Sequence, residues 1–416
     1  MKIHWHSNAP WSNTGYGNQT KLFTPRIKDL GHEVSITAFY GLQGGRIIGS
    51  HDIPIYGNAG HPYGQDVMVP NAVAEGAQII ITLLDSWVVE PQRFNGAPVA
   101  WVPWFPVDSE PCKPADIAGV KQAHARIVFS HFAESEMQKA GLDCYYVPHG
   151  VDSQAFHPQD MKRSRNMLTW PQDRFIVGMV AANKGFPCRK AFFEQLTAFA
   201  AFHKSHPDAL LYLHTDDGAH ESRLGVNLPE FLEVLGLKYD YMRQQPISPS
   251  TAVIFCDQYT YASTGYNDEY MNAAYNGMDV HMLVSMGEGF GIPILEAQAA
   301  GCPVLVGDWT AMSELCFGGW KVAKRDATPS WMPQYHTFQF SPHPEAIAEK
   351  LEQAYRMRGN YDYRERARDG AVKYDADRIT ERYWKPVLEK IEQSLAPVVL
   401  PAGVPVGAGI GQEVTA

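Results

Sequence analysis

Two doubly wound α/β domains, each built on a parallel sheet, are what this sequence predicts. Three observations carry the prediction. Apolar runs of strand length alternate with helical patterns along most of the chain. Two such series open in the same way, strand then loop then helix then strand, one at Lys2 and one at Phe175. Residues 280–306 read as strand, glycine-rich loop, helix and strand. That is a βαβ unit with its loop at the carboxyl end of a strand, where open parallel sheets bind ligands. With 416 residues the chain is long enough for two or three domains.

The elements follow in order. Residues 2–6 form the first strand, 7–17 a loop, and 18–30 an amphipathic helix stopped by Gly31, with the next strand at 33–38. This opening is Rossmann-like. Thr14-Gly15-Tyr16-Gly17 holds part of a G-x-G-x-x-G pattern, with Thr20 where the third glycine would stand. Further strands are expected at 78–84, 99–102 and 126–129, and a helix at 131–140. The second series has strands at 175–180, 209–213, 252–255, 280–284 and 303–306. Its helices are expected at 189–205, 270–276 and 292–300, the last closed by Gly301. The predicted organisation is a first domain over 1–151, a linker over 152–174 and a second domain over 175–376. One long helix is expected at 377–395, and a Pro/Gly/Val-rich flexible tail runs over 396–416.

Composition narrows the function. Hydrophobic residues are 45% and charged residues 19%, ordinary for a globular protein. A net charge of −10, from 45 acidic and 35 basic residues, argues against a large nucleic-acid footprint. No run approaches the roughly 20 apolar residues that span a bilayer. Residues 1–40 hold no basic stretch followed by a long apolar run, so no secretory signal is expected. The six scattered cysteines lack a C-x-x-C pair and fit reduced thiols. The expected location is the cytoplasm.

The chemistry concentrates in Gly287-Glu-Gly-Phe-Gly-Ile-Pro-Ile-Leu-Glu296 and the Ala-Gln-Ala-Ala-Gly-Cys-Pro-Val that follows. Two carboxylates flank a glycine pair where a strand gives way to a helix. Backbone N–H groups at the helix start favour an anion, and a carboxylate one turn further in can hold hydroxyls. Together they suit a ligand that is part phosphate and part sugar. The segment E-G-F-G-x-P-x-x-E-A-x-A-x-G-x-P-V resembles the donor-binding segment of family 4 glycosyltransferases, retaining enzymes of the GT-B fold. In that fold two Rossmann-like domains face a central cleft and the last helix often crosses back, which implies that the helix at 377–395 returns to the first domain.

The resemblance implies roles residue by residue. Glu296 would bind the ribose of a nucleotide-sugar. Glu288, Gly289, Phe290 and Gly291 would lie against the donor sugar and phosphates, and Ser285 matches the family's serine three residues before the first glutamate. Gly15, Tyr16 and Gly17 fit the glycine-rich loop that opens these enzymes and approaches the donor across the cleft. Residues 144–152 resemble the family's Val-Ile-Pro-Asn-Gly-Val-Asp segment, with His149 in place of the asparagine. The family also carries an arginine after a glycine at the end of a second-domain strand, then a Lys-Gly, two cations that neutralise the donor diphosphate. Counting back from the helix, Lys190 takes the lysine position and Ala191 the glycine. Counting forward from Gly178, Met179 stands where the arginine belongs. Asn183, Lys184 and Arg189 are the candidates to replace it, and Arg189 with Lys190 form the expected phosphate-binding pair. A basic pair at a helix N-terminus opposes the macrodipole unless an anion is bound there.

The first-domain loops after the strands at 78–84 and 99–102 should face the cleft. No histidine stands where many family members carry one. Asp108 is the nearest polar candidate, to orient a donor hydroxyl or assist the acceptor, and a turn or helix-capping aspartate is the equal alternative. Trp101, Trp104 and Phe105 offer either a sugar-stacking face or packing. Asp375-Ala-Asp377 has the D-x-D spacing of a metal motif but precedes a helix, where capping is the simpler reading. His203 and His206 lack a third ligand. No metal and no cofactor are expected, the nucleotide-sugar being a co-substrate.

The sequence is therefore read as a retaining glycosyltransferase that uses a nucleotide-diphosphate-sugar. Its catalytic group is Glu288, Asp108, Lys190 and Arg189, and its acceptor is undetermined among protein, glycan, small molecule and modified nucleic acid. A GT-B-like sugar-nucleotide epimerase or hydrolase, and a non-catalytic nucleotide-sugar-binding protein, are the alternatives.

Overall fold

The computed structural model describes residues 1–185, 187–219, 225–242 and 247–395. The expected tail, 396–416, lies outside the described residues. The described residues build an eight-stranded sheet and a seven-stranded sheet, plus a separate two-stranded hairpin.

In the first sheet, Lys2–Asn8 lies between Glu33–Gln43 and Ile79–Leu83, parallel to both. The sheet continues through Pro54–Asn58 on one side and through Ala100–Phe105, Ile127–Val128 and Tyr145–Tyr146 on the other. Arg46–Ile48 at the edge is its one antiparallel strand. In the second sheet, Phe175–Val180 lies between Ala209–His214 and Val280–Leu283, and every pairing is parallel. All of Phe175–Val180, Ala209–His214 and Val280–Leu283 is buried, as strands covered on both faces must be. In each sheet the chain winds first to one side of the central strand and then to the other. The reversal leaves a crevice at the carboxyl ends, beside Asn8 in one sheet and between Val180 and Leu283 in the other.

Three helices depart most from the sequence expectation. The first helix spans Gly15–Asp29, because the Thr14 hydroxyl accepts the Gly17 amide at 3.0 Å and starts it early. The first helix of the second series spans Phe192–Ser205, since Ala191 before it has φ 51°, left-handed and outside the helix. The final helix is not continuous. Ala376–Ile379 passes through a widened turn, Thr380–Trp384, into Lys385–Ser394. Pro386 has no amide to give to the preceding turn, and the wider turn accommodates it. That turn points Trp384 into the first sheet, where its ring lies 4.8 Å from Trp104 and 5.8 Å from both Trp5 and Phe23. Asp375 caps this segment by accepting the Asp377 amide.

No element was assigned by sequence between 307 and 376. The structure places there the hairpin Ala327–Met332 and Thr337–Pro342, and the helices Pro344–Arg356 and Tyr361–Ala371. The hairpin joins the two halves. The Phe340 amide donates to Met286 O at 2.8 Å, beside the second sheet. Phe338 and Glu110 exchange backbone hydrogen bonds of 3.0 and 2.9 Å, against a loop of the first.

Candidate active site

The loop after Val280–Leu283 carries Ser285, Glu288, Gly289, Phe290 and Gly291 into the crevice, and Ile292–Ala299 starts from it. Gly291 precedes that helix with φ 108°, a conformation that strains any residue with a Cβ. The loop between Val180 and Phe192 brings Arg189 and Lys190 to the same point. Its path is fixed by the Met286 amide donating to Arg189 O at 2.8 Å and by Gln195, which donates to Lys190 O at 2.6 Å and accepts from the Val284 amide.

Glu288 is the hub. Its Oε1 accepts from Lys190 Nζ at 2.5 Å and Ser285 Oγ at 2.6 Å, and its Oε2 faces Arg189 Nη1 at 3.1 Å. Burial alone would raise its pKa, but the two cations and the serine outweigh that and hold it down to about 2. Burial pulls the Lys190 ammonium below its ordinary range, with Glu288 opposing. Arg189 stays firmly charged: burial is overcome by Glu288 and Asp108. Ala191 occupies a left-handed conformation at the position aligned with the family's glycine, so the backbone there has the shape a glycine favours.

Asp108 comes from the loop after Ala100–Phe105, on the other sheet. It lies 2.8 Å from Lys113 Nζ and 3.6 Å from Arg189 Nε. Burial opposes its ionisation, and Lys113 and Arg189 restore it, so its pKa is lowered. The ion network thus crosses from one sheet to the other. The two loops touch closely: a Cβ on Gly287 would lie 2.0 Å from Asp108 O, and one on Gly289 2.4 Å from Pro106 Cβ. These glycines are required by that approach, whereas the sequence reading set Gly289 and Gly291 against a donor. Phe290 is buried as a wedge, 5.1 Å from His149 and 6.3 Å from Phe129.

Glu296 lies on the buried side of Ile292–Ala299 and accepts from the Tyr275 hydroxyl at 3.0 Å. With no cation beside it, burial pushes its pKa up to about 8, only partly offset by Tyr275. The two glutamates of one motif are therefore held in opposite protonation preferences by their surroundings.

The remaining expected residues divide. Gly15, Tyr16 and Gly17 sit in the first turn of a helix and not in a loop. A Cβ on Gly15 would meet Ile292 Cδ1 at 3.1 Å, so the N-termini of Gly15–Asp29 and Ile292–Ala299 converge across the crevice. Gly17 is confined by Ser12 O, 2.2 Å from where a Cβ would be. Tyr16 faces the ion network, its phenol pushed well up by burial and by Asp85. Asn183 does not join the cations: its amide donates to Val226 O and Asp216 O and accepts from the Val226 amide. Lys184 is exposed. Trp101, Trp104 and Phe105 are all buried, so the stacking-face reading gives way to packing. Among the described residues no group of three or more His, Cys, Asp or Glu could hold a metal ion. No helix of the described residues is long and apolar enough to cross a membrane.

Lys113, Asp85, Asp116 and the hairpin residue Tyr335 were not singled out from the sequence. Asp116 is buried, which lifts its pKa to about 6 against the pull of Lys113 and of the Ser86 hydroxyl. Tyr335 lies under the Lys113 ammonium, 5.0 Å from Nζ to ring centre. Tyr335 carries no local motif because its partners Lys113 and Trp87 come from the other half, and Asp116 because Ser86 lies far from it along the chain.

Residues 252–356 match the family described as glycosyl transferases, group 1. Solved structures with the same architecture include a glycosyltransferase from Rickettsia africae ESF-5, at TM-score 0.65 and 14% identity over 95% of this chain and 98% of that one. HepE of Anabaena, solved with UDP and glucose and also with UDP-glucose, superposes at TM-score 0.66 and 16% identity over 94% of this chain and 100% of its own. Sucrose-phosphate synthase of Thermosynechococcus elongatus superposes at 0.65 and 15% identity over 94% and 97%. No curated protein sequence matches the chain. The likeness to solved structures shows the fold, GT-B, across almost the whole chain.

Proposed function

We propose that this group 1 glycosyl transferase moves a sugar from a nucleoside diphosphate to an acceptor hydroxyl with retention of anomeric configuration. The observation that carries the reading is the Glu288–Lys190–Arg189 cluster at two converging helix N-termini, with Glu296 one turn inside the second helix. Arg189, Lys190 and the helix amides are the groups suited to a diphosphate. Glu296 is suited to ribose hydroxyls, which would donate to it and favour its ionised form. In the step itself the bond from the anomeric carbon to the diphosphate oxygen breaks and its electron pair stays on the diphosphate. The acceptor oxygen bonds to the anomeric carbon on the same face and its proton passes to the departing phosphate oxygen. The cations carry the charge that develops, and Asp108 reaches Arg189 from the loop of the other sheet. Asp108 is placed to orient a hydroxyl on the acceptor side. The division into an acceptor domain over 1–151 and a donor domain over 175–376 belongs to this proposal.

The test is thermal stabilisation by a panel of nucleoside diphosphates and nucleotide-sugars, with Glu296→Ala alongside. UDP-glucose is the first candidate, because HepE was solved with it. Selective stabilisation by one base, lost in Glu296→Ala, is the expected result. A folded protein stabilised by none of them would overturn the reading.

A further inference from the structure

One large aromatic side chain beside the ion network is left in the open. Trp87 follows the strand Ile79–Leu83 and is 42% exposed, although its neighbours Leu84 and Ser86 are buried. Its ring lies 5.8 Å from that of Tyr335, tilted by 52°. Tyr335 belongs to the turn of the hairpin, so the pair is assembled from both halves of the molecule. The hairpin holds Tyr335 in place: it is hydrogen-bonded to Met286 on one side and to Glu110 on the other. Met332 and Tyr335 also pack with Met286 and Ala191, immediately behind Glu288 and Lys190. On the far side of Tyr335 stands Lys113, paired with Asp108.

The charge around this corner is selective. Lys113 faces Asp85, Asp108 and Asp116, while Arg189 is already engaged by Glu288. Three carboxylates around one lysine, itself paired with Asp108, repel a phosphate-rich strand or an acidic chain. Carboxylates do accept hydrogen bonds from neutral hydroxyls, and an aromatic pair with Trp87 exposed and Tyr335 half-buried covers an apolar ring face. Hydroxyls on the edge and C–H groups on the face describe a pyranose.

We infer that Trp87 and Tyr335 form the wall of an acceptor subsite that takes a neutral sugar ring, so that the acceptor is a neutral glycan. This rests on the transferase reading and names the acceptor class for it. The sugar would lie on the aromatic pair with one hydroxyl directed past Asp108 to the donor's anomeric carbon, where its oxygen forms the new glycosidic bond and its proton leaves with the diphosphate.

The experiment measures nucleoside diphosphate release from whichever donor stabilises the protein. The added acceptors are maltotriose, cellotriose, triacetylchitotriose, a tri-galacturonate and a single-stranded DNA oligonucleotide. A neutral oligosaccharide should accelerate release. Trp87→Ala and Tyr335→Ala should each raise its KM about tenfold, the scale of a lost aromatic contact. Trp87→Phe should restore most of that, and stabilisation by the donor should persist in all three variants, showing that they are folded. The inference is overturned if the donor stabilises the protein but no neutral oligosaccharide accelerates release, if the anionic probes are preferred, or if both alanine variants keep the KM. Failure of every donor to stabilise would instead remove the transferase reading, and the inference with it.

Discussion

Replacing Glu296 by glutamine should make the unliganded protein more stable at neutral pH while weakening the nucleotide-sugar binding proposed for it. The buried carboxyl has a pKa of about 8 in the folded chain against the usual glutamate value of 4.5. Between those two values the folded state binds the proton and the unfolded state has released it. Stability therefore falls as pH rises from 4.5 towards 8, by about 1.4 kcal/mol per pH unit. At about pH 7 the accumulated loss is on the order of 3 kcal/mol, and above about pH 8 it levels off near 5 kcal/mol. Glutamine has nothing to ionise, and its carbonyl can still accept from the Tyr275 hydroxyl. The assay is a pair of thermal scans, wild type and Glu296→Gln, from about pH 5 to pH 9. Their difference should be near zero at about pH 5 and grow to about 6–12 °C at pH 7, using the usual conversion for a domain of this size. Other titrating groups cancel in the difference. A gap that stays flat across this range would refute the reasoning, because it would mean that Glu296 is already ionised in the folded, empty crevice.

Two other perturbations test the same site. Gly289→Ala would place a methyl 2.4 Å from Pro106 Cβ, and the overpacking should cost about 1–3 kcal/mol and push the Asp108 loop off Arg189; a variant with wild-type melting temperature and rate would show that the two loops do not meet this closely. Lys190→Met should leave Glu288 buried with one cation fewer, a destabilisation on the order of 3–5 kcal/mol in thermal or denaturant unfolding. In the wild type the depressed Glu288 pKa, about 2 against 4.5, adds stability that is full above pH 4.5 and lost as pH falls through 2, so acid unfolding of Lys190→Met should begin at higher pH.

The motif from Glu288 to Glu296 was legible because its determinants are local. Gly291 must be left-handed before a helix, Glu296 falls one turn inside that helix, and Gly301 ends it. Ala191 is left-handed where the sequence reading set the glycine of a Lys-Gly pair. Helix starts were less legible. A single cap at Thr14 moved one start upstream to Gly15, and the left-handed Ala191 moved another downstream to Phe192.

What the chain alone determined was two parallel sheets, their crevices and the glycine-rich loop and helix from Glu288 to Glu296, since strand and helix periodicity and glycine conformation are properties of neighbouring residues. Only the tertiary structure decided that Asn183 spends its amide on Val226, that Trp101 and Trp104 are packing, and that Gly287 and Gly289 serve the close contact of two loops. It alone brought Asp108, itself paired with Lys113, to Arg189, and Tyr335 to Trp87. The physical reason is separation along the chain. Those contacts join residues on different sheets, where charge and packing are set by whichever loop folds over from the other side, and no short-range pattern in the sequence records which loop that is.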